Sequence, residues 1–252
     1  MKISIITIVY NNKGSIEEAI KSVVNQTYKD IEYIIIDGGS TDGTNEIILK
    51  YLDKIDCYKS EPDNGLYSAL NKGVKAATGD VIGILHSDDL FYSNTTIEEY
   101  VEVFKNKQVD LVYADGIYVQ REDTKKIKRI YRGQKCGKLN LKLGWIPLHT
   151  TIFLKKEIFK KHGLYDESFS IAGDYDLSLK WFQDNAIKKE YLKSIVVKMR
   201  MGGKSTTAAL QKKKSNEDLV IIKKNKLWGV VTLFFKIFRK IPQYLLPKVK
   251  KY

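Results

Sequence analysis

Cysteine occurs only twice in 252 residues, at Cys57 and Cys136. That is too few and too widely spaced for a disulfide framework or a zinc site, and a reducing interior is the compartment expected. No apolar run reaches the roughly 18–20 residues that a membrane span requires. The opening MKISIITIVYNN has a short apolar run but no small-residue cleavage site, so it reads as a first strand and not as a signal peptide. Internal repeats and long low-complexity segments are absent. So are helix-turn-helix, zinc-finger and ribonucleoprotein signatures, which argues against nucleic acid as the partner of a chain with formal net charge +13. Phosphorylated ligands and an anionic membrane surface remain as counterparts for that charge. With 43% hydrophobic and 11% aromatic residues the composition is that of a globular chain with a large core.

What is present is alternation. Residues 3–10 form an apolar, β-branched run of the kind found in a parallel strand covered on both faces. Asn11-Asn12-Lys13-Gly14 breaks it, and Ser15-Ile16-Glu17-Glu18 has the pattern of a capping box opening a helix with Ile16, Ala19, Ile20, Val23 and Val24 on one face. A second strand over 31–37 ends in Gly38-Gly39-Ser40-Thr41-Asp42-Gly43, and another amphipathic stretch follows. Strand–helix–strand–helix at this spacing predicts right-handed βαβ units and an α/β fold with a parallel sheet. The alternation continues with strands near 57–58, 81–85, 111–119, 127–131 and 194–197 and helices near 66–78, 95–106, 157–162 and 177–185.

The stretch VIGILHSDD, residues 81–89, carries the clearest chemistry. A buried strand running into His86, Ser87, Asp88 and Asp89 delivers carboxylates to the carboxyl edge of a sheet, where ligands of open α/β sheets bind. Hard oxygen ligands of this kind suit Mg²⁺ or Mn²⁺ holding a diphosphate. An Asp-rich turn capping the next helix is the competing reading. Asp37, ending the second strand, is placed to accept hydrogen bonds from a nucleobase or ribose, or to cap its own turn. His149, in Pro-Leu-His-Thr-Thr, is either an acceptor-site residue or a structural histidine. Lys204 and Arg200 belong to a polar, basic stretch read as a mobile loop that either closes over a diphosphate or is merely solvated.

Residues 226–252 contain seven Lys/Arg and no acid, interleaved with Leu227, Trp228, Val230, Val231, Leu233, Phe234, Phe235, Ile237, Phe238 and Ile241. A basic amphipathic tail of this kind fits a helix lying in a membrane interface with lysines toward anionic head groups. A C-terminal helix packed on the core with a solvated basic face is the alternative. The division expected is a domain over 1–207, with halves of about 1–105 and 106–207, followed by a tail over 208–252.

Taken together and in order, Val9-Tyr10-Asn11, Asp37 to Asp42, Asn64-Gly65, Ala69-Leu70-Asn71-Lys72-Gly73, Ser87-Asp88-Asp89 and Gly173-Asp174-Tyr175-Asp176-Leu177 resemble the family 2 glycosyltransferases, with their GT-A nucleotide-sugar fold, a Rossmann-like α/β sheet, mixed but mostly parallel and flanked by helices. The likeness covers about residues 1–207 and is greatest to the branch that builds bacterial surface polysaccharides on lipid carriers. It implies that Val9, Tyr10 and Asp37 bind the nucleoside, with Asn71, Lys72, Ser87 and Lys204 also on the donor. It implies that Asp88, supported by Asp89, holds Mn²⁺ or Mg²⁺ as the second acid of the DxD motif. Asp174 is the implied general base, placed just ahead of a helix that Asp176 caps, and His149 would line the acceptor site.

Four positions depart from the family pattern: Gly38 in place of a second Asp, Leu70 in place of Arg, Gly173 in place of Glu, and His86 at the first acidic position of DxD. The expectation is an inverting, metal-dependent glycosyltransferase, peripheral on the cytoplasmic face of a bacterial plasma membrane, moving one sugar from a nucleotide-sugar donor to a lipid-linked saccharide. A sugar nucleotidyltransferase is the competing enzyme. It would need a Gly-rich, lysine-containing loop after the first strand, of which Asn11-Asn12-Lys13-Gly14 is a poor version. A non-catalytic membrane-bound nucleotide-binding scaffold is the competitor outside enzymes, and the acids at 37, 88 and 174 argue against it.

Overall fold

A computed structural model describes residues 1–202 and 208–249 of the chain. β1 (Ile3–Val9) is buried at every residue. It lies between β2 (Ile31–Asp37) and β4 (Val81–Ile84), parallel to both, with Val9 opposite Asp37 and Ile6 opposite Ile84. β3 (Cys57–Ser60) extends this parallel unit outside β2. On the other side β8 (Phe153–Lys155) joins β4 antiparallel, and β6 (Leu111–Val119) joins β8 antiparallel. β9 (Lys189–Arg200) runs parallel to β6, β5 (Leu90–Phe91) closes antiparallel on β9, and β7 (Ile127–Tyr131) forms the expected hairpin with β6. Among the described residues this is a nine-stranded sheet in which β1–β4, β6 and β9 point one way and β5, β7 and β8 the other. The Rossmann-like sheet of GT-A type implied by the resemblance, mixed but mostly parallel and flanked by helices, is borne out.

The period-2 geometry of the strands explains the two cores. Ile6, Ile8, Ile34 and Ile36 face one side, against Leu70 and Val74 of α3 (Leu66–Ala76). Ile3, Ile5, Val9 and Ile35 face the other, against α1 (Ile16–Val24) and Tyr100 and Phe104 of α4 (Thr96–Lys107). Gly73 lets α3 sit flush on β1, because a Cβ there would run into the Ile6 side chain. α2 (Thr44–Leu49), α5 (Lys138–Lys142) and α6 (Lys156–His162) are short connectors.

α7 (Gly173–Gln183) starts earlier than its apolar pattern predicts. Asp174 is therefore inside the first turn and Asp176 inside the helix, where it is fully buried and paired with Lys180 at 2.8 Å and Lys224 at 3.2 Å. Asp176 is not the N-cap. The N-cap is Ala172, and the segment leading into it is held by Glu217 on α8 (Ala208–Lys224), whose carboxylate accepts the N–H groups of Ser170, Ile171 and Ala172 at 3.0, 2.9 and 2.9 Å.

The capping box at Ser15 and Glu18 does not form either, since Ser15 makes no side-chain cap bond. The N–H groups of Ser15 and Ile16 donate to the Asn12 carbonyl, and Glu18 instead takes the Arg200 guanidinium at 2.6 Å.

After α8, α9 (Val230–Phe238) and α10 (Lys240–Val249) return to the body. Thr232 is fully buried and donates to the Lys142 carbonyl, and Arg239 donates to that of Leu143. Lys236 forms a 2.7 Å ion pair with the buried Asp218 and lies 3.3 Å from the Tyr175 ring centroid. Burial lowers the Lys236 pKa to about 8 despite that partner. Among the described residues no helix is long and apolar enough to cross a membrane.

Candidate functional site

The carboxyl ends of β1, β2 and β4 lie side by side, so the residues just beyond them share one edge of the sheet. Asp37 ends β2 fully buried, with its oxygens engaged locally. Oδ2 accepts the N–H groups of Gly39 and Ser40 at 3.1 and 2.9 Å and the Ser60 hydroxyl at 2.6 Å, while Oδ1 takes the Ser40 hydroxyl. Asp37 thus caps the turn after its strand, the second of the two roles open to it.

Val9 accepts the Gly38 N–H through its carbonyl, and Tyr10 is 51% exposed beside that turn. A Cβ on Gly38 would lie 2.7 Å from the Asp63 carboxylate and 3.4 Å from the Tyr10 ring. A carboxylate therefore does stand in the space beside Gly38, but it is that of Asp63 and arrives from the Glu61-Pro62-Asp63 turn, where no motif marks it.

Asn71 is a departure from expectation. Its side-chain nitrogen donates to the Tyr165 carbonyl and to Glu167, and its oxygen accepts the Tyr165 N–H at 2.9 Å. The amide clasps α3 to the 165–167 loop, which needs a buried donor–acceptor pair, and presents no free donor to a phosphate. Lys72 is ion-paired with Glu61 at 2.8 Å.

Beyond β4, Ser87 accepts a hydrogen bond from the Asn12 side chain at 2.9 Å. Asp88 is a quarter exposed and paired with Arg121 at 2.9 Å. Asp89 is buried, facing the Arg200 N–H at 3.2 Å, and burial followed by the charge of Asp88 raises its pKa well above the usual carboxylate range. A carboxyl in that state is a poor metal ligand, so of the two acids Asp88 alone has the character expected of one.

Arg200 is not part of a loose loop. β9 extends to it, its side chain is 3% exposed, and its guanidinium binds Glu18, the Asp88 carbonyl and the Arg121 carbonyl. Lys204 lies outside the described residues. Among those residues no cluster of three or more His, Cys, Asp or Glu side chains is arranged to hold a metal ion.

His86, His149 and Asp174 meet, although 88 positions of sequence separate the first from the last. His86 Nε2 is 2.7 Å from His149 Nε2, and His149 Nδ1 is 3.1 Å from Asp174 Oδ2. The Tyr67 hydroxyl donates to Asp174 Oδ1 at 3.0 Å. Gly173 makes this possible, because a Cβ there would crowd the Tyr67 ring at 2.9 Å. Burial on its own would raise the Asp174 pKa. The His149 ring, the Lys214 ammonium and the Tyr67 hydroxyl outweigh it and hold the carboxyl well below the usual range. Burial, with His149 adjoining, lowers His86 to about 4, so its ring is neutral near pH 7. An ionised, part-exposed carboxylate fixed on both oxygens has the geometry to accept a hydroxyl proton.

The model of the family described as "Glycosyl transferase family 2" matches residues 4–163 of the chain. An uncharacterized glycosyltransferase of Rickettsia typhi is 31% identical over 97% of this chain and 83% of its own length. A crystal structure of S. aureus TarS in complex with UDP-GlcNAc superposes with a TM-score of 0.70 at 19% identity, over 99% of this chain and 76% of that one. A mannosyltransferase from Pyrobaculum calidifontis, in complex with GDP-Man and Mn²⁺, gives 0.69 at 15% identity over 100% of this chain and 76% of that one.

Proposed function

This chain belongs to glycosyltransferase family 2, with the GT-A fold, and from that premise we propose inverting transfer of one sugar from a nucleotide-sugar donor to a lipid-linked saccharide in cell-surface polysaccharide assembly. One observation carries the reading. Asp88 sits two residues after His86, and an unbroken hydrogen-bond chain runs from His86 through His149 to Asp174. A group fit to meet a leaving diphosphate and a group fit to take a proton are thereby set on one edge of the sheet.

In the reaction, the acceptor oxygen bonds to the anomeric carbon as the carbon–oxygen bond to the diphosphate breaks, and that electron pair leaves with the nucleotide. Asp174 takes the hydroxyl proton. Attack from the side opposite the nucleotide inverts the anomeric centre without a covalent intermediate. Asp37 fixes the turn beside which Tyr10, the Val9 backbone and Asp63 receive the nucleoside.

One carboxylate, Asp88, would hold Mn²⁺ or Mg²⁺, hard ions suited to an oxygen ligand. When bound, the ion would neutralise charge developing on the diphosphate. Arg121, paired with Asp88 at 2.9 Å, brings a guanidinium to the same edge, suited to phosphate oxygens.

The lipid-linked acceptor and an anionic membrane surface as partner rest on the tail. Val230, Phe234, Ile237, Phe238, Ile241 and Leu245 are each at least half exposed, on a segment with no acid and several Lys/Arg. A cavity of about 580 Å³ lined by Arg121, Lys128, Met201 and Tyr244 lies between the β6–β7 turn and α10, offering cations and apolar surface together. A peripheral location on the inner face of the plasma membrane is part of the same proposal.

The test is a thermal-shift screen of nucleotide sugars with and without Mn²⁺ or Mg²⁺, since a ligand of the native state raises the melting point according to its affinity. A nucleotide sugar should stabilise the wild type more with metal than without, and Asp88→Ala should abolish the metal-dependent part. Stabilisation by no nucleotide sugar, or a metal effect unchanged in Asp88→Ala, would count against the reading.

A further inference from the structure

Three elements converge on the Asp174 carboxylate, and each fixes something different. Tyr67 on α3 holds one oxygen and His149 from the 149–151 turn holds the other. His86, from the turn after β4, holds the far nitrogen of His149. An ionised carboxylate accepts and never donates, so His149 must present Nδ1–H to Asp174. The Nε2 contact between the two rings, at 2.7 Å, holds one proton, donated by one imidazole and accepted by the other. The hydrogen-bond chain thus fixes the His149 ring through both of its nitrogens.

A purely structural role explains this poorly. The His149 and Asp174 side chains are 22% and 27% exposed, so water could satisfy both at no folding cost. Instead two imidazoles and a carboxylate are linked in series at the edge of the sheet, an arrangement whose desolvation a fold without use for it would avoid.

We propose that His149 is a positioning residue for the general base, fixing the orientation and the charge of Asp174, and that His86 holds the His149 ring in the orientation that does so. The proposal rests on the reading of Asp174 as base. It gives the departure at the first DxD position a role: His86 serves the base through His149, whereas the usual acid there serves the leaving group.

The charged and titratable groups facing Asp174 are His149 and His86, Tyr67, Tyr165, Tyr118 on β6, Lys214 on α8 and Lys236 on α9. Of those that favour the ionised form, His149 contributes most, against burial that opposes it. Without His149 the burial remains and the main opposing influence is gone, so Asp174 becomes protonated at higher pH. Since only the ionised form takes a proton, the acidic limb of the pH–rate profile must move upward.

The experiment uses the full chain and follows release of nucleoside diphosphate from UDP-GlcNAc and GDP-mannose, as kcat/KM against pH, alongside donor binding. His149→Ala should lower kcat about tenfold to a hundredfold, the scale of a misplaced catalytic group. It should also shift the acidic limb upward by about one pH unit or more, with donor affinity unchanged. His149→Asn, whose amide can donate where Nδ1–H does, should recover most of both effects. His86→Ala should show the smaller shift expected of a group acting through His149.

An acidic limb unmoved in His149→Ala, with the loss equal at every pH, would overturn the proposal and leave His149 as an acceptor contact. If Asp174→Asn retains full activity the base reading itself fails, which is a separate outcome. Nitrogen-15 shifts of the wild-type imidazoles decide the matter even if the variants do not fold. Nδ1–H on His149 is required, and an unprotonated Nδ1 facing Asp174 would refute the chain.

Discussion

Replacing Glu217 by glutamine removes one charge and leaves every carbon in place, yet it should be among the more damaging substitutions in the chain. The carboxylate takes the backbone N–H groups of Ser170, Ile171 and Ala172 and the Ser170 hydroxyl, the last at 2.7 Å. These donors belong to the N-cap, Ala172, and to the two residues that lead into α7, next to a helix end where a negative charge is also favoured by the dipole. Glutamine keeps one acceptor oxygen and turns an NH₂ toward the remaining donors. Each bond to a charged group is worth about 1.5–3 kcal/mol, and the site is partly open to water, so a loss of about 2–3 kcal/mol is expected. For a chain of this size that is roughly 5–10 °C in melting temperature. Asp174 lies two residues inside the same helix end, so kcat should fall while donor binding holds. Thermal melts followed by circular dichroism give the first quantity and nucleoside diphosphate release the second. A Glu217→Gln protein melting within about 1 °C of wild type would refute the claim that α8 holds the start of α7.

Glu32 should dominate part of the acid response. Burial alone would raise it, but Ser4, Thr78 and Lys2 outweigh burial and lower it from 4.5 to about 2. Its contribution is then present in full above pH 4.5 and is lost as pH falls toward 2, about 3 kcal/mol in all. Urea titrations of Glu32→Gln should show a flatter stability–pH slope in that window, and an unchanged slope would remove Glu32 from the account. Gly73→Ala forces a methyl into Ile6 and should cost about 1–3 kcal/mol by chemical denaturation. A neutral result would mean that α3 does not sit flush on β1. Co-sedimentation should find the protein on phosphatidylglycerol vesicles and not on phosphatidylcholine, weakening with salt and abolished by Phe234→Glu with Ile241→Glu. Equal binding by that double variant would place the membrane contact elsewhere.

The fold was largely legible because its strands are continuous β-branched runs and its helices carry clear apolar faces. What escaped were contacts made across long separations. Ser15 and Glu18 satisfy the local pattern of a capping box, but Glu18 is drawn away by Arg200, 182 positions later, which no local rule anticipates. The Gly173–Asp176 segment looks like a turn because its acids favour caps, yet Glu217 holds the segment leading into the helix from outside, and Asp174 and Asp176 lie within it.

The sequence suggests a ligand group at Asn71 and either a ligand group or a turn cap at Asp37, and both side chains are engaged in holding loops. A side-chain amide or carboxylate looks the same in sequence whether it faces a donor or its own backbone. Arg121 stands in a stretch where charge is everywhere, and only its contact with Asp88 distinguishes it. The tail illustrates the limit of pattern most clearly. Its apolar face is exposed as the periodicity suggests, but Thr232, Lys236 and Asp218 bury a second face against the body.

The central claim is single-displacement inversion with Asp174 as base, and its most direct test needs no acceptor. Proton NMR can follow the slow hydrolysis of UDP-GlcNAc or GDP-mannose, in which water takes the acceptor's place, and can identify the anomer released before mutarotation. From an α-linked donor the wild type should release the β-anomer first, and Asp174→Asn should release almost none. Release of the α-anomer, or undiminished hydrolysis by Asp174→Asn, would contradict the account.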